Sequence, residues 1–175
     1  NDKNPKFEGT TEAKAEVTIR FSDGTEYKTI AGDDGSWSID VTDALTHGRH
    51  EYEITSVDTA GNDKSIKSFV DIDLEAPDVT INLVNDTGSS STDGITKSRT
   101  PIFNGTSEAG ASIELTINNI TYGEPAVKVN ANGEWSFVLP IELDDGEYRI
   151  DVVAIDQAGN RTEETLNIEI DNSVF

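Results

Sequence analysis

The chain contains itself twice. Asn4-Pro5-Lys6-Phe7-Glu8-Gly9-Thr10-Thr11-Glu12-Ala13 returns 96 residues later as Thr100-Pro101-Ile102-Phe103-Asn104-Gly105-Thr106-Ser107-Glu108-Ala109. Gly35-Ser36-Trp37-Ser38 returns as Gly133-Glu134-Trp135-Ser136, now at an offset of 98. The same offset carries Val57-Asp58-Thr59-Ala60-Gly61-Asn62 onto Ile155-Asp156-Gln157-Ala158-Gly159-Asn160. It also carries Val70-Asp71-Ile72-Asp73 onto Ile168-Glu169-Ile170-Asp171. Ordered matches at one nearly constant offset mean two copies of one folding unit, separated by a short insertion. The division this predicts is 1–73 and 74–175, each of a size that can bury its own core.

Within each copy the pattern is that of strands. Residues 15–21 and 111–117 alternate small or apolar with polar side chains, as do 50–57 and 148–155, which places one face on a core and the other in water. Asp23-Gly24, Asp34-Gly35, Asn132-Gly133 and Asp145-Gly146 are tight-turn pairs. No window sustains a helical period. The expected fold is all-β: two tandem antiparallel β-sandwiches in an elongated arrangement. In the second copy, strands are expected near 79–84, 101–105, 111–118, 125–130, 134–139, 147–155 and 161–170, a complete seven-strand sandwich. The first copy has nothing equivalent to 74–96, so its opening strand is expected to be missing or very short.

Charge narrows the function. Lys and Arg number 13 against 34 Asp and Glu, a formal net charge of −21. Such a chain repels nucleic acid and anionic lipid headgroups. The acids are interleaved with β-branched and aromatic residues instead of forming blocks, which argues against disorder. They either keep a long exposed protein soluble or supply oxygen ligands to a hard cation. The absence of cysteine favours a bacterial over a eukaryotic secreted sandwich. With no methionine, the chain reads as a piece of a longer protein. No apolar run is long enough to cross a bilayer as a helix.

A family resemblance rests on Ala76-Pro77-Asp78-Val79-Thr80-Ile81, on Asn85-Asp86-Thr87-Gly88-Ser89-Ser90-Ser91-Thr92-Asp93-Gly94-Ile95-Thr96, on 101–110, and on the two Asp-x-Ala-Gly-Asn motifs. In these the chain resembles the bacterial immunoglobulin-like repeats of giant adhesins exported by type I secretion, including biofilm-associated proteins and the large non-fimbrial adhesin of Salmonella. The resemblance implies immunoglobulin-like domains strung in a rod on the bacterial surface, stiffened by calcium at domain junctions, with neighbouring repeats as partners and monomeric otherwise. It also implies virulence and biofilm formation, with a host glycan or protein engaged elsewhere in the parent chain.

Topology gives the calcium expectation its residues. If strands alternate direction, the loops at 107–110, 132–133 and 156–160 and the linker 71–75 share one end of the second copy. Asp71, Asp73 and Glu75 are then expected to converge with Asp156 and Glu108, and Asp58 to play the part of Asp156 at a preceding junction. Asp86 and Asp93, in the loop around Gly88, are expected at the opposite end with Asp171. Calcium takes 6–8 oxygens, so carboxylates with carbonyls and water suit it. The competing reading of Asp58 and Asp156 is purely local, since Asp before Ala-Gly-Asn can hold a turn through its own loop's N–H groups. The spacing is not that of an EF-hand.

Other residues invite chemistry and decline it. Trp37 and Trp135 are expected as core plugs, not sugar platforms. His47 and His50 have no counterparts in the second copy and are expected as solvated side chains. Asp33-Asp34 and Asp144-Asp145 abut turn glycines, which favours turns over a glycosidase pair. No nucleophile motif or phosphate loop is present, so the chain is not expected to be an enzyme. The reading is a calcium-stiffened spacer of a secreted, surface-held adhesin. A glycan- or protein-binding module, or an accessory domain of a secreted glycosidase, are the alternatives, because fold alone does not decide among them.

Overall fold

The computed structural model describes residues 2–87 and 90–173, with Glu124 and Pro125 described through their backbone only. The chain divides into two compact units, Asn1–Leu74 and Glu75–Phe175. Among the described residues there is no helix, and the all-β expectation holds.

Unit one runs β1 (Lys6–Thr10), β2 (Glu16–Phe21), β3 (Glu26–Ile30), β4 (Ser36–Asp40), β5 (Gly48–Val57) and β6 (Asp63–Ile72). One sheet has the order β3-β2-β5-β6, and β1 pairs with β4 in the other. Unit two runs β7 (Asn82–Leu83), β8 (Ile95–Thr96), β9 (Ile102–Thr106), β10 (Ser112–Ile117), β11 (Ile120–Lys128), β12 (Glu134–Val138), β13 (Gly146–Ile155) and β14 (Arg161–Ile170). Its sheets are β11-β10-β13-β14-β8 and β12-β9-β7. The pairings are antiparallel except that of β8 with β14.

Alternation builds each core. In β2, Val17, Ile19 and Phe21 turn inward and meet Ile39 and Val41 from the other side. Their counterparts Ile113, Leu115 and Ile117 meet Phe103, Trp135 and Leu139. Successive strand residues point to opposite faces, so three apolar residues at every second position suffice for one wall.

Two differences from the expected strands have physical reasons. The opening strand of unit two is divided. Val79 bridges to Ser107, Asn82–Leu83 lies on β9, and the chain then crosses to the other sheet as β8. Asn85 ends the first part: its side-chain oxygen accepts from the Ile102 N–H at 3.0 Å, and its carbonyl accepts from the Thr96 hydroxyl at 2.6 Å. Ile95–Thr96, set in a polar loop, gives no alternation by which to find it. The second difference is β11, which begins at Ile120, not near 125. Asn118 and Asn119 both have positive φ, as a two-residue type I′ hairpin turn requires. The register then slips between Ile113 and Leu115. In unit one the same hairpin closes through the Asp23-Gly24 turn, where the Phe21 N–H reaches the Thr25 carbonyl. A shorter turn with an added bulge accounts for the change of offset from 96 to 98.

Candidate metal-binding carboxylates

The Asp-x-Ala-Gly-Asn motif is a self-held turn. Asp58 Oδ1 accepts from the N–H groups of Ala60 and Asn62, both at 2.8 Å, and Oδ2 accepts from Asn62 Nδ2 at 2.7 Å. Asp156 repeats this with Asn160, accepting its N–H and its Nδ2 at 2.8 Å. The Asp156 side chain is buried, at 7% exposure. Burial pushes its pKa upward, but the Asn160 side chain and loop N–H groups outweigh it and hold the carboxyl below its ordinary value. Asp58 is lowered first by the Asn62 side chain. Each carboxylate thus accepts from its own loop and holds the turn.

Three loops of unit two meet at one end. The Ser107 N–H donates to the Gly133 carbonyl at 2.9 Å, and a Cβ at Gly110 would stand 2.9 Å from Gln157 Nε2. The Ser107 hydroxyl donates to the Asp78 carbonyl at 2.6 Å, so the segment leading into the unit arrives at this end too. The loops bearing Glu108 and Asp156 are thus neighbours, together with the chain that follows Glu75.

Asp71 and Asp73 belong to unit one. Asp71 accepts two hydrogen bonds from one edge of Arg49, from Nε at 2.8 Å and from Nη2 at 2.9 Å, which lowers its pKa and raises that of Arg49. The Arg49 guanidinium also lies 3.7 Å from the Phe69 ring centroid. Sequence reasoning passed over Arg49, although the β5–β6 register sets Arg49 directly opposite Asp71. Asp73 lies 3.5 Å from His47 Nδ1, which also accepts the Leu74 N–H at 3.2 Å. His50 Nε2 meets the Thr46 carbonyl at 2.8 Å. His47 is exposed and His50 half-buried, and each also meets a protein group.

At the far end of unit two, Asp93 accepts the Ile95 N–H at 3.1 Å and Asp171 accepts from Ser173. Asp86 Oδ2 accepts the Gly94 N–H at 3.1 Å, whereas its Oδ1 is buried without a hydrogen-bond partner. Gly88 and Ser89, part of the expected loop, lie outside the described residues. Among the described residues, no three His, Cys, Asp or Glu side chains gather as a group that could hold a metal ion. A buried carboxylate oxygen without a donor, as Asp86 Oδ1 is among the described residues, is unfavourable unless a cation or water meets it. The paired acids are divided among separate tasks: Asp33 meets Lys14, Asp144 meets Arg99, and Asp34 accepts from Ser36.

The profile of the bacterial Ig-like domain family matches residues 1–74 and again residues 73–172. The chain belongs to the bacterial Ig-like domain family. The resemblance carried by its motifs is thereby borne out, and the two Ig-like units follow one another directly. No curated protein matches the chain. Among solved structures, it is similar to the tetra-tandem repeat in the extending region of a large adhesion protein. That match has 22% identity over 98% of this chain and 46% of that one, with a TM-score of 0.48. A Ca2+-stabilized adhesin that helps an Antarctic bacterium reach out and bind ice is 25% identical, over 97% of this chain and 44% of that one, at a TM-score of 0.44. The fibronectin(III)-like modules of CbhA from Clostridium thermocellum are 13% identical over 97% and 86%, at a TM-score of 0.53, a likeness of fold. This Ig-like pair spans less than half the length of either adhesin chain.

Proposed function

We infer that this chain is a pair of non-catalytic spacer repeats from a large adhesin on the bacterial surface, stiffened by calcium. The observation that carries the reading is the pair of end-to-end family matches, at residues 1–74 and 73–172: the chain is one domain type repeated, as a spacer requires. Its charge of −21 keeps such a segment soluble and self-repelling. Export by type I secretion, biofilm formation and a role in virulence belong to the same proposal. So do a host glycan or protein bound by other parts of the parent and neighbouring repeats as the partners of these two.

The proposed ligands are the linker carboxylates Asp71, Asp73 and Glu75 with Asp156 and Glu108, with Asp58 at a preceding junction and Asp86, Asp93 and Asp171 at a following one. Support for them is donor chemistry and chain order, and for Asp86 its buried unpartnered oxygen. Calcium would neutralise mutually repelling carboxylates and fix the chain that bears them. A cation that binds only the folded state adds about 2.7 kcal/mol at a hundredfold excess over Kd.

The test is small-angle scattering and thermal unfolding, with calcium and then with chelator. Chelation is expected to loosen the particle and lower the Tm, with Asp73→Ala reproducing the first effect and Asp86→Asn part of the second. Unchanged scattering and Tm would leave the acids merely solvated and sink the calcium proposal. The spacer reading would fall separately if the parent chain held no further copies of this repeat.

A further inference from the structure

The turn ahead of β4 and the turn ahead of β12 occupy the same place in the repeat, but different side chains hold them. In unit one Asp34 does so: its Oδ1 accepts the Ser36 N–H at 3.0 Å and the Ser36 hydroxyl at 2.7 Å. That carboxylate lies over Gly32, where a Cβ would stand 2.9 Å from Asp34 Oδ1, so the arrangement needs a residue without a side chain at 32. Unit two has Asn130 at the position of Gly32 and Asn132 at that of Asp34. There Asn130 takes over, its Oδ1 accepting the N–H groups of Asn132 at 2.9 Å and of Glu134 at 3.0 Å. The place that the Asp34 carboxylate fills in unit one is taken. Asn132 is exposed, and its side-chain amide has no hydrogen-bond partner among the described residues.

Gly133 follows it. An Asn side chain closes most readily on the next backbone nitrogen when that residue is glycine, which has no Cβ to shield it. The sequence contains this pair twice, at Asn104-Gly105 and Asn132-Gly133, and the structure treats the two differently. Ring closure swings the peptide plane between the paired residues. At Asn104 that plane is inside β9, which pairs with β12 on one side and β7 on the other. Gly105 stands opposite Trp135, so close to its other neighbour that a Cβ would overlap the Thr80 carbonyl oxygen. At Asn132 the plane lies in a turn with Ala131 and Asn132 exposed, and the Gly133 N–H donates to the Asn130 carbonyl at 3.0 Å within the turn itself.

We propose that Asn132, released from the turn by Asn130, is a site of spontaneous deamidation, and that unit two ages at this turn. The Gly133 nitrogen gives up its proton to solvent base and attacks Asn132 Cγ. A new N–Cγ bond forms, the Cγ–Nδ2 bond breaks, and the leaving amide nitrogen takes a proton from water and departs as ammonia. Water then opens the cyclic imide at either carbonyl, to aspartate or to isoaspartate. Nothing is oxidised or reduced, and water is the only reagent consumed. Either product adds one negative charge, and isoaspartate also lengthens the main chain of the turn by a methylene group. The Gly133 carbonyl accepts the Ser107 N–H at 2.9 Å, so a lengthened turn loosens that bond to the neighbouring loop. Unit one is exempt at this position, because Asp34 has no amide to lose. This inference stands apart from the spacer reading and from calcium.

The test incubates the full chain in mildly alkaline buffer. Peptide mapping by mass spectrometry follows the exchange of amide for acid at both Asn-Gly pairs, and enzymatic methylation detects isoaspartate. Asn132 is expected to convert about tenfold faster than Asn104, the effect of one retained strand hydrogen bond, and amide exchange at Ser107 to quicken as it does. Asn130→Gly recreates the Gly32 of unit one and gives the Asn132 side chain the place beside the Glu134 N–H. It is expected to slow conversion roughly threefold or more. Conversion of Asn104 as fast as that of Asn132 overturns the proposal. So does an unchanged Asn132 over a period in which a synthetic peptide of residues 129–136 converts fully. An Asn130→Gly chain that folds, as its tryptophan fluorescence reports, and converts no more slowly than the original also overturns it.

Discussion

Unit one and unit two share one repeat but differ in how completely they close it. Phe7 and Phe103 occupy the same strand position, each in the sequence Phe-x-Gly-Thr, yet Phe103 is fully buried and Phe7 is not. The difference lies elsewhere in the chain, in the segment from Val79 to Thr96, which has no counterpart among the described residues of unit one. A core residue's contribution is thus decided by the strand that covers it as much as by its own identity.

The sharpest way to break this comparison is to truncate the matched phenylalanines. Phe103→Ala is expected to destabilise unit two by about 3–5 kcal/mol, and Phe7→Ala to destabilise unit one by about 1–2 kcal/mol, since less apolar area is lost from cover. Chemical denaturation followed at each unit's tryptophan checks this, and equal losses would refute the difference in closure. Next in size are the matched glycines. A Cβ at Gly105 would overlap the Thr80 carbonyl oxygen, whereas at Gly9 it meets only the Trp37 ring, 2.9 Å away. Gly105→Ala should therefore cost about 1–3 kcal/mol as overpacking against backbone, and Gly9→Ala distinctly less, because a half-buried ring can yield.

Acid gives a smaller contrast. Asp58 and Asp156 are both held below the ordinary value of 3.8, so each stabilises its unit fully above that pH. That contribution is lost as pH falls through the depressed folded value. Stability of both units should fall below pH 3.8, and Asp156→Asn should flatten the fall in unit two. The smallest effect is expected at Arg49→Gln, where an exposed ion pair with Asp71 is removed. A Tm shift beyond the error of the measurement would mean that the Arg49–Phe69 contact matters more than its exposure suggests.

Much of this was legible in the residues. Alternation in 15–21 and 111–117 located β2 and β10, and Asp-Gly and Asn-Gly pairs located turns, because both signals are local. β8 was not legible. It is two residues long and owes its existence to a partner 74 residues away in sequence, Glu169 facing Ile95, and long-range pairing leaves no periodic trace. The site was legible only as a choice of residue types. That Asp58 holds its own turn depends on Asn62 reaching back to it, which the motif alone does not display. Arg49 escaped notice for a similar reason, since a lone cation acquires meaning only through strand register.

The parallel pairing of β8 with β14 has a consequence under tension. The chain reaches unit two at the Ser107 end and leaves β14 beside Thr96 at the other. A pull on the two ends of the unit therefore drags β8 and β14 past each other along their length. The bonds from Glu169 and Asp171 to Gly94 and Thr96 are loaded together in shear, and rupture requires them to fail at once. Among the described residues of unit one, β1 and β6 lie in different sheets, so the parallel pairing is a feature of unit two.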